Sequence, residues 1–293
     1  MSEAEHQIIR LWEDPDYFRA VVQFTSQVTM FSPRLVEKDY SCTVLLEYLS
    51  KASDKLVFKG GTCLAKVHVN FYRLSEDLDF VVPMPVDAPR SRRSKQAVPL
   101  KEAVTKLPDR LPFFRVIAPL TGANNSMHYN AVIGYTSPTV GREEVIKIEV
   151  GFREPLLLPT LKAKAQTVLL DPNSAQPLIP PLGVHCISAT EAFAEKFRAA
   201  LSRREVAVRD FFDLDYAVQR MGLDPLDPGL ITLVQKKLAV PGNEGIDVSE
   251  KRLAALGRQV EPQLRPVLRA ADFAGFNLDR AFRVVREMAT TLK

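Results

Sequence analysis

Apolar residues recur at helical spacing through the first fifty positions: Ile8, Ile9, Trp12, Phe18, Val21, Val22 and Phe24, then Val36, Tyr40, Val44, Leu45 and Tyr48. Ser32-Pro33 separates the two runs and places proline where a helix can begin, so two packing helices are predicted. The period then changes. Leu56-Val57-Phe58 is a short apolar run closed by Lys59-Gly60-Gly61-Thr62, which predicts a buried strand and a tight turn. A short helix is expected over 64–71. Asp77-Leu78-Asp79-Phe80-Val81-Val82 alternates as a strand does. A basic helical stretch follows, then a strand over 113–118 stopped by Pro119. Segments 127–136 and 143–152 form a hairpin pair around Pro138 and Gly141, with Ile146, Ile148 and Val150 on one face and Lys147 and Glu149 on the other.

Four prolines between Asp171 and Pro181 mark a connector, and from there the period is helical to the end. Ser188-Ala189-Thr190-Glu191 fits a capping box ahead of an apolar face made by Ala192, Phe193, Phe197, Ala200 and Leu201. Further helices are expected over 208–221, 229–238, 249–256 and 278–292. The class is α+β: a mixed sheet with flanking helices over 1–185, then an all-helical part over 186–293.

Composition narrows the possibilities. With 293 residues, 46% hydrophobic and 25% charged, the chain can bury a sizeable core and is neither disordered nor fibrous. No apolar run reaches the ~18–20 residues of a membrane span, and the N-terminus lacks a signal-peptide layout, so a cytoplasmic protein without a membrane partner is expected. Cys42, Cys63 and Cys186 are widely spaced and odd in number, which suits a reducing compartment and predicts neither a zinc site nor a disulfide frame. The net charge of +4 means little as a total. Between Asp87 and Arg115, however, eight basic residues face three acidic ones, a larger excess than that of the whole chain. Such a segment suits a polyanion, or is simply a solvated helix face.

The chemistry concentrates in two places. Asp77 and Asp79, two apart on a strand, point the same way, and such carboxylates repel unless a cation lies between them. A hard divalent ion, Mg²⁺ with Mn²⁺ as the alternative, answers that repulsion, and Glu149 supplies a third acid if its strand lies alongside. Gly60 and Gly61 let backbone N–H groups approach a triphosphate, with the Thr62 hydroxyl at the start of the next helix. Each piece alone is weak, since a glycine pair is commonly just a turn. The order is what matters: apolar strand, GG[ST], short helix, Ser-x-Asp-x-Asp.

KGGTCLAKVHVNFYRLSEDLDF resembles the glycine-and-double-aspartate motif of the AbiEii/AbiGii-type nucleotidyltransferases, within the DNA polymerase β-like superfamily. EKFRAALSRREVAVRDFFDLDY is similar to that family's second, downstream signature. The resemblance implies a nucleotidyltransferase-like sheet domain followed by a helical domain that contributes to the active site. It implies phosphate-binding roles for Gly60, Gly61, Thr62 and Ser75, and metal binding by Asp77, Asp79 and Glu149. In the second signature it implies that Lys196 contacts nucleotide phosphates and that Asp210 is a base or positioning group, with Asp213 of undefined role. It also implies an NTP substrate, a toxin of a toxin–antitoxin or phage-defence system, an RNA acceptor such as the tRNA 3′ end, and a cognate antitoxin. Transfer to a protein side chain or a small molecule, or a non-enzymatic binding module, remain alternatives. Without the first motif, Glu195, Lys196, Arg198, Asp210 and Asp213 read as ordinary surface charges. The four histidines (His6, His68, His128, His185) show no metal spacing, Cys63 reads as a small core residue, and Lys59, Lys66 and Arg73 are open between surface and phosphate roles.

Overall fold

The computed structural model describes residues 10–85, 87–153 and 155–292; Ile8, Ile9 and His6 lie outside the described residues. The chain divides into two compact units, Met1–Leu156 with Thr160–Ile187, and Leu157–Pro159 with Ser188–Lys293.

In the first unit the two expected helices form as α1 (Pro15–Thr29) and α2 (Pro33–Ser50). Asp14 and Ser32 accept the N–H groups of Tyr17 and Leu35 at their N-termini. Helix α2 is buried almost throughout, charged residues included. The Glu37 carboxylate accepts from Ser137 Oγ and Thr139 N, both at 2.9 Å. Burial of such groups is tolerable because each is satisfied.

Among the described residues seven strands form one mixed sheet: β1 (Val57–Lys59), β2 (Leu78–Val81), β3 (Phe114–Ala123), β4 (His128–Thr136), β5 (Glu143–Gly151), β6 (Leu161–Ala165) and β7 (Leu182–Cys186), in the order β3-β4-β5-β2-β1-β7-β6. The sheet differs from expectation in two respects. Strand β3 runs through Pro119 instead of stopping there, because it lies at the sheet edge and shifts register between Ala118 and Thr121, where a missing N–H is harmless. Strands β6 and β7 bracket the proline-rich connector, and β7 enters the sheet parallel to β1. Between β1 and β2 the chain makes a short helical turn, α3 (Gly60–Cys63), and a wider turn, Leu64–His68, before Asn70 and Phe71 take positive φ. Helix α4 (Arg90–Arg110) carries most of the basic segment. In the core, Phe58 packs on Phe80, and Trp12 stacks on Phe113 beside Tyr135.

The second unit is helical: α5 (Ala189–Ser202), α6 (Val208–Met221), α7 (Pro228–Leu238), α8 (Glu250–Gln259), α9 (Ala270–Gly275) and α10 (Leu278–Thr291). Ser188 accepts from Glu191 N as expected. The Glu191 carboxylate is bound elsewhere: it accepts the N–H groups of Leu157 and Leu158 at 2.8 Å and pairs with the buried Lys237 ammonium at 2.6 Å. Only half of the capping box is therefore shown. Phe211 stacks on Phe282, and Arg280 binds both oxygens of Asp215 at 2.7 Å. Among the described residues no helix is long and apolar enough to cross a membrane.

Candidate active site

Strands β2 and β5 run parallel with Leu78 beside Ile148 and Asp79 beside Glu149. Partners in a ladder point to the same face, and the face alternates with every residue. Leu78, Phe80, Ile148 and Val150 therefore share the core face, each at most 3% exposed. Asp79 and Glu149 stand on the opposite face. Asp77 lies one residue ahead of β2, and its Oδ1 accepts the Lys147 N–H at 2.9 Å, which fixes that carboxylate against β5. On the other side of β2, Lys59 pairs with Asp79 in the antiparallel β1 ladder.

The glycine turn is fitted to these side chains. Gly60 has φ of +76°, and a Cβ there would lie 2.1 Å from Asp79 Oδ2. At Gly61 a Cβ would meet Arg73 Nη2 at 2.5 Å and Ser75 Oγ at 3.2 Å. Thus the absence of both side chains is what lets the turn and the Ser-x-Asp-x-Asp segment occupy adjoining space. Thr62 is buried, and its hydroxyl donates to the Asp77 carbonyl oxygen, fastening the turn to the segment that enters β2. Ser75, half-buried, adjoins Gly61. Arg73, 2% exposed, packs over Tyr72 and donates to the Leu74 carbonyl oxygen, and its guanidinium lies against Gly61 of the turn.

Glu76 is held from the helix side. Arg34 reaches Glu76 and Glu144 at 2.8 Å each, and Lys38 reaches Glu76 at 3.4 Å. The bond to Glu144, then that to Glu76, keeps the Arg34 guanidinium above its already high ordinary pKa. This network, which the sequence did not disclose, anchors the residue next to Asp77.

Hard oxygen donors on one face of a rigid ladder have the chemistry that a divalent cation such as Mg²⁺ requires. Among the described residues, though, the three carboxylates do not close within 4.8 Å as a trio; Cys63, His68 and Cys186 do. Glu149 is exposed and long, so rotation of its side chain is the movement that would bring it onto a cation shared with Asp79. Cys63 is buried, as read from the sequence, but the sequence did not show that two thiols and an imidazole converge here. Strand β7 sets Cys186 beside Phe58 in the ladder with β1. There the Cys63 thiol, and then the His68 ring, lower the Cys186 thiol to about 5.

In the helical unit, Lys196 Nζ lies 2.7 Å from Asp210 Oδ1 and 2.8 Å from Asp213 Oδ2, all three side chains at most 13% exposed. These are not solvated surface charges: the second signature folds into one ion cluster. Asp210 Oδ2 is buried without a hydrogen bond from the described residues, with Arg203 Nη1 3.6 Å away. Two other basic residues are placed differently from expectation. Lys66 is fully buried, its ammonium bound by Asp39 Oδ1 at 2.6 Å and Thr43 Oγ1 at 2.8 Å, and so belongs to the core. Arg93 is buried too and donates to the carbonyl oxygens of Ala88 and Asn125, whereas Arg90, Arg92, Lys95, Lys106 and Arg110 are exposed. Arg115 pairs with Glu143.

A family model described as "Nucleotidyl transferase AbiEii toxin, Type IV TA system" matches residues 44–284. Among solved structures, MenT4, the nucleotidyltransferase toxin Rv2826c of Mycobacterium tuberculosis H37Rv, is similar with a TM-score of 0.54 and 21% identity, over 94% of this chain and 99% of that one. JHP933 from Helicobacter pylori is similar with a TM-score of 0.51 and 15% identity, over 89% and 93%. At these identities the likeness is one of fold. No curated protein matches the sequence.

Proposed function

The chain belongs to the AbiEii nucleotidyltransferase toxin family of type IV toxin–antitoxin systems, and we propose on that premise that it transfers a nucleoside monophosphate from an NTP to RNA, the 3′ end of tRNA, and so stops translation and growth. The observation that carries this reading is the single face shared by Asp79 and Glu149, with Asp77 one step ahead and Gly60 pressed against Asp79. The exposed basic residues of α4 support a polyanionic acceptor. A cognate antitoxin is the expected partner.

In this reading Asp77, Asp79 and Glu149 hold Mg²⁺, or Mn²⁺ in its place. When bound, the ion neutralises charge at the reacting phosphate and lowers the pKa of the attacking hydroxyl. Gly60 and Gly61 present backbone N–H groups to the triphosphate, with Ser75 beside them, and Thr62 holds the turn through the Asp77 carbonyl. Lys196 takes the role of a phosphate contact and Asp210 that of base or positioning group. The acceptor oxygen bonds to the α-phosphorus, the bond to the β-phosphate oxygen breaks, pyrophosphate leaves, and the hydroxyl proton passes to the base. Positioning and charge compensation supply most of the rate in such transfers.

The test is incubation of the protein with each labelled NTP, Mg²⁺ and total tRNA. Label at the tRNA 3′ end that is lost in Asp77→Ala, with unchanged circular dichroism, is the expected result. Label on protein, or full activity in Asp77→Ala, overturns the assignment.

A further inference from the structure

We infer that Cys63, His68 and Cys186 form a binding site for a thiophilic d¹⁰ cation, Zn²⁺ or Cu⁺, separate from the carboxylate face. Their ligand atoms lie within 4.8 Å of one another among the described residues. Both thiols are buried and in no disulfide, and the imidazole is half-buried. Bonds of about 2.3 Å to sulfur and 2.0 Å to nitrogen put tetrahedral ligand atoms roughly 3.3–3.8 Å apart. The cluster is thus a small contraction from a coordination shell.

The histidine is already oriented for that use. His68 Nε2 lies 2.9 Å from the Ile187 carbonyl oxygen. A carbonyl can only accept, so Nε2 carries a proton and Nδ1 is the ring nitrogen that a metal would take. A ligating histidine commonly donates its other N–H to a backbone carbonyl in this way. Soft sulfur and borderline nitrogen donors select zinc or copper(I) over the hard ions suited to carboxylates. The two sites therefore differ in the ion they take. Both sulfurs bind as thiolates, so whatever thiol proton remains leaves as the cation enters.

The position gives the site a consequence. Cys63 directly follows Thr62 in α3, and Cys186 is the register partner of Phe58. A cation held there would tie β7 to the glycine turn from the side away from Asp79. The inference uses no residue of the proposed transfer chemistry, so the two stand or fall independently.

The experiment uses the full chain, reduced and stripped with a chelator, then titrated with Co²⁺ as a spectroscopic probe and with Zn²⁺ and Cu⁺ in competition. The expected result is thiolate-to-cobalt charge-transfer absorption with tetrahedral d–d bands, displaced by Zn²⁺ or Cu⁺; which displaces at lower concentration identifies the resident ion. Cys63→Ser, Cys186→Ser and His68→Gln should each weaken binding by more than about 100-fold, beyond the loss of an outer-shell partner. Cys42→Ser should bind as the parent does, because Cys42 lies against the Glu76 carbonyl instead. Absent charge-transfer bands, or bands unchanged in both Cys63→Ser and Cys186→Ser, overturn the inference. Circular dichroism of each variant separates lost binding from lost folding, and if a serine variant does not fold, His68→Gln decides alone.

Discussion

Replacing Gly60 with alanine should inactivate the protein far more than it destabilises it. The backbone there has φ of +76°, which costs a residue with a Cβ about 1–2 kcal/mol. The added Cβ would also lie 2.1 Å from Asp79 Oδ2, where ordinary contact begins at 3.4 Å, so the carboxylate must retreat by about 1.3 Å. A displacement of roughly 1 Å in a positioned catalytic group costs about 100-fold in rate. Gly141 supplies the control. Its φ is +69°, yet a Cβ there meets nothing within 4 Å, so Gly141→Ala carries the same backbone cost without touching a carboxylate. Urea unfolding should show comparable losses of about 1–2 kcal/mol in both variants. Metal-dependent nucleotide transfer, and growth arrest on induced expression, should fall about 100-fold in Gly60→Ala alone. Equal activity in the two variants would refute the argument that Gly60 is glycine for the sake of Asp79.

Lys66→Met should cost about 3–5 kcal/mol in urea unfolding, because it leaves Asp39 charged and buried. Lys66→Met with Asp39→Asn should recover part of that, and a single-variant loss under about 1 kcal/mol would contradict the burial argument. Arg92→Ala with Lys95→Ala should lower the slope of log affinity for tRNA against log salt by about 1–2, each phosphate contact contributing about 0.7–0.9; an unchanged slope would remove α4 from the RNA-binding surface. Asp247 is held below its ordinary pKa by the Ser249 hydroxyl and then the Ser249 N–H. Its contribution is therefore present above the unfolded value of about 3.9 and is lost as pH falls through the lowered folded value. Asp247→Asn should be less stable than the parent near neutrality by a few tenths of a kcal/mol, the side chain being half exposed. That gap should narrow as pH falls below about 3.9 in paired unfolding curves.

The carboxylate face was legible in the sequence because a strand has a period of two. Asp77-Leu78-Asp79 and Ile148-Glu149-Val150 each declare which residues share a side, and the β2–β5 ladder then sets Asp79 beside Glu149. The paired helices, the turn at Gly60 and the helical second unit were legible for the same kind of reason: local period and turn chemistry. What stayed hidden depends on partners distant in the chain. Lys66 and Arg93 read as surface or phosphate-binding charges, since nothing local shows that Asp39 or the Ala88 and Asn125 carbonyls will enclose them. Strand β7 is too short, and too close to a proline-rich stretch, to announce itself. The meeting of Cys186 with Cys63 and His68 follows from that one strand. Pro119 marked a strand end only because a sequence does not reveal which strands lie at an edge.

Strand β2 has paired neighbours on both sides, β5 and β1, with further strands beyond each. No fluctuation can part Asp79 from Glu149 without breaking ladder hydrogen bonds in the middle of the sheet, and such openings approach the cost of unfolding the whole unit. Amide deuterium uptake at Asp79, Phe80 and Glu149 should therefore be among the slowest in the protein, while the edge strands β3 and β6 exchange early. Heat or mild denaturant would then abolish this face together with the sheet in one transition, and a partially melted chain that kept it would have to keep β1, β2 and β5 folded as well.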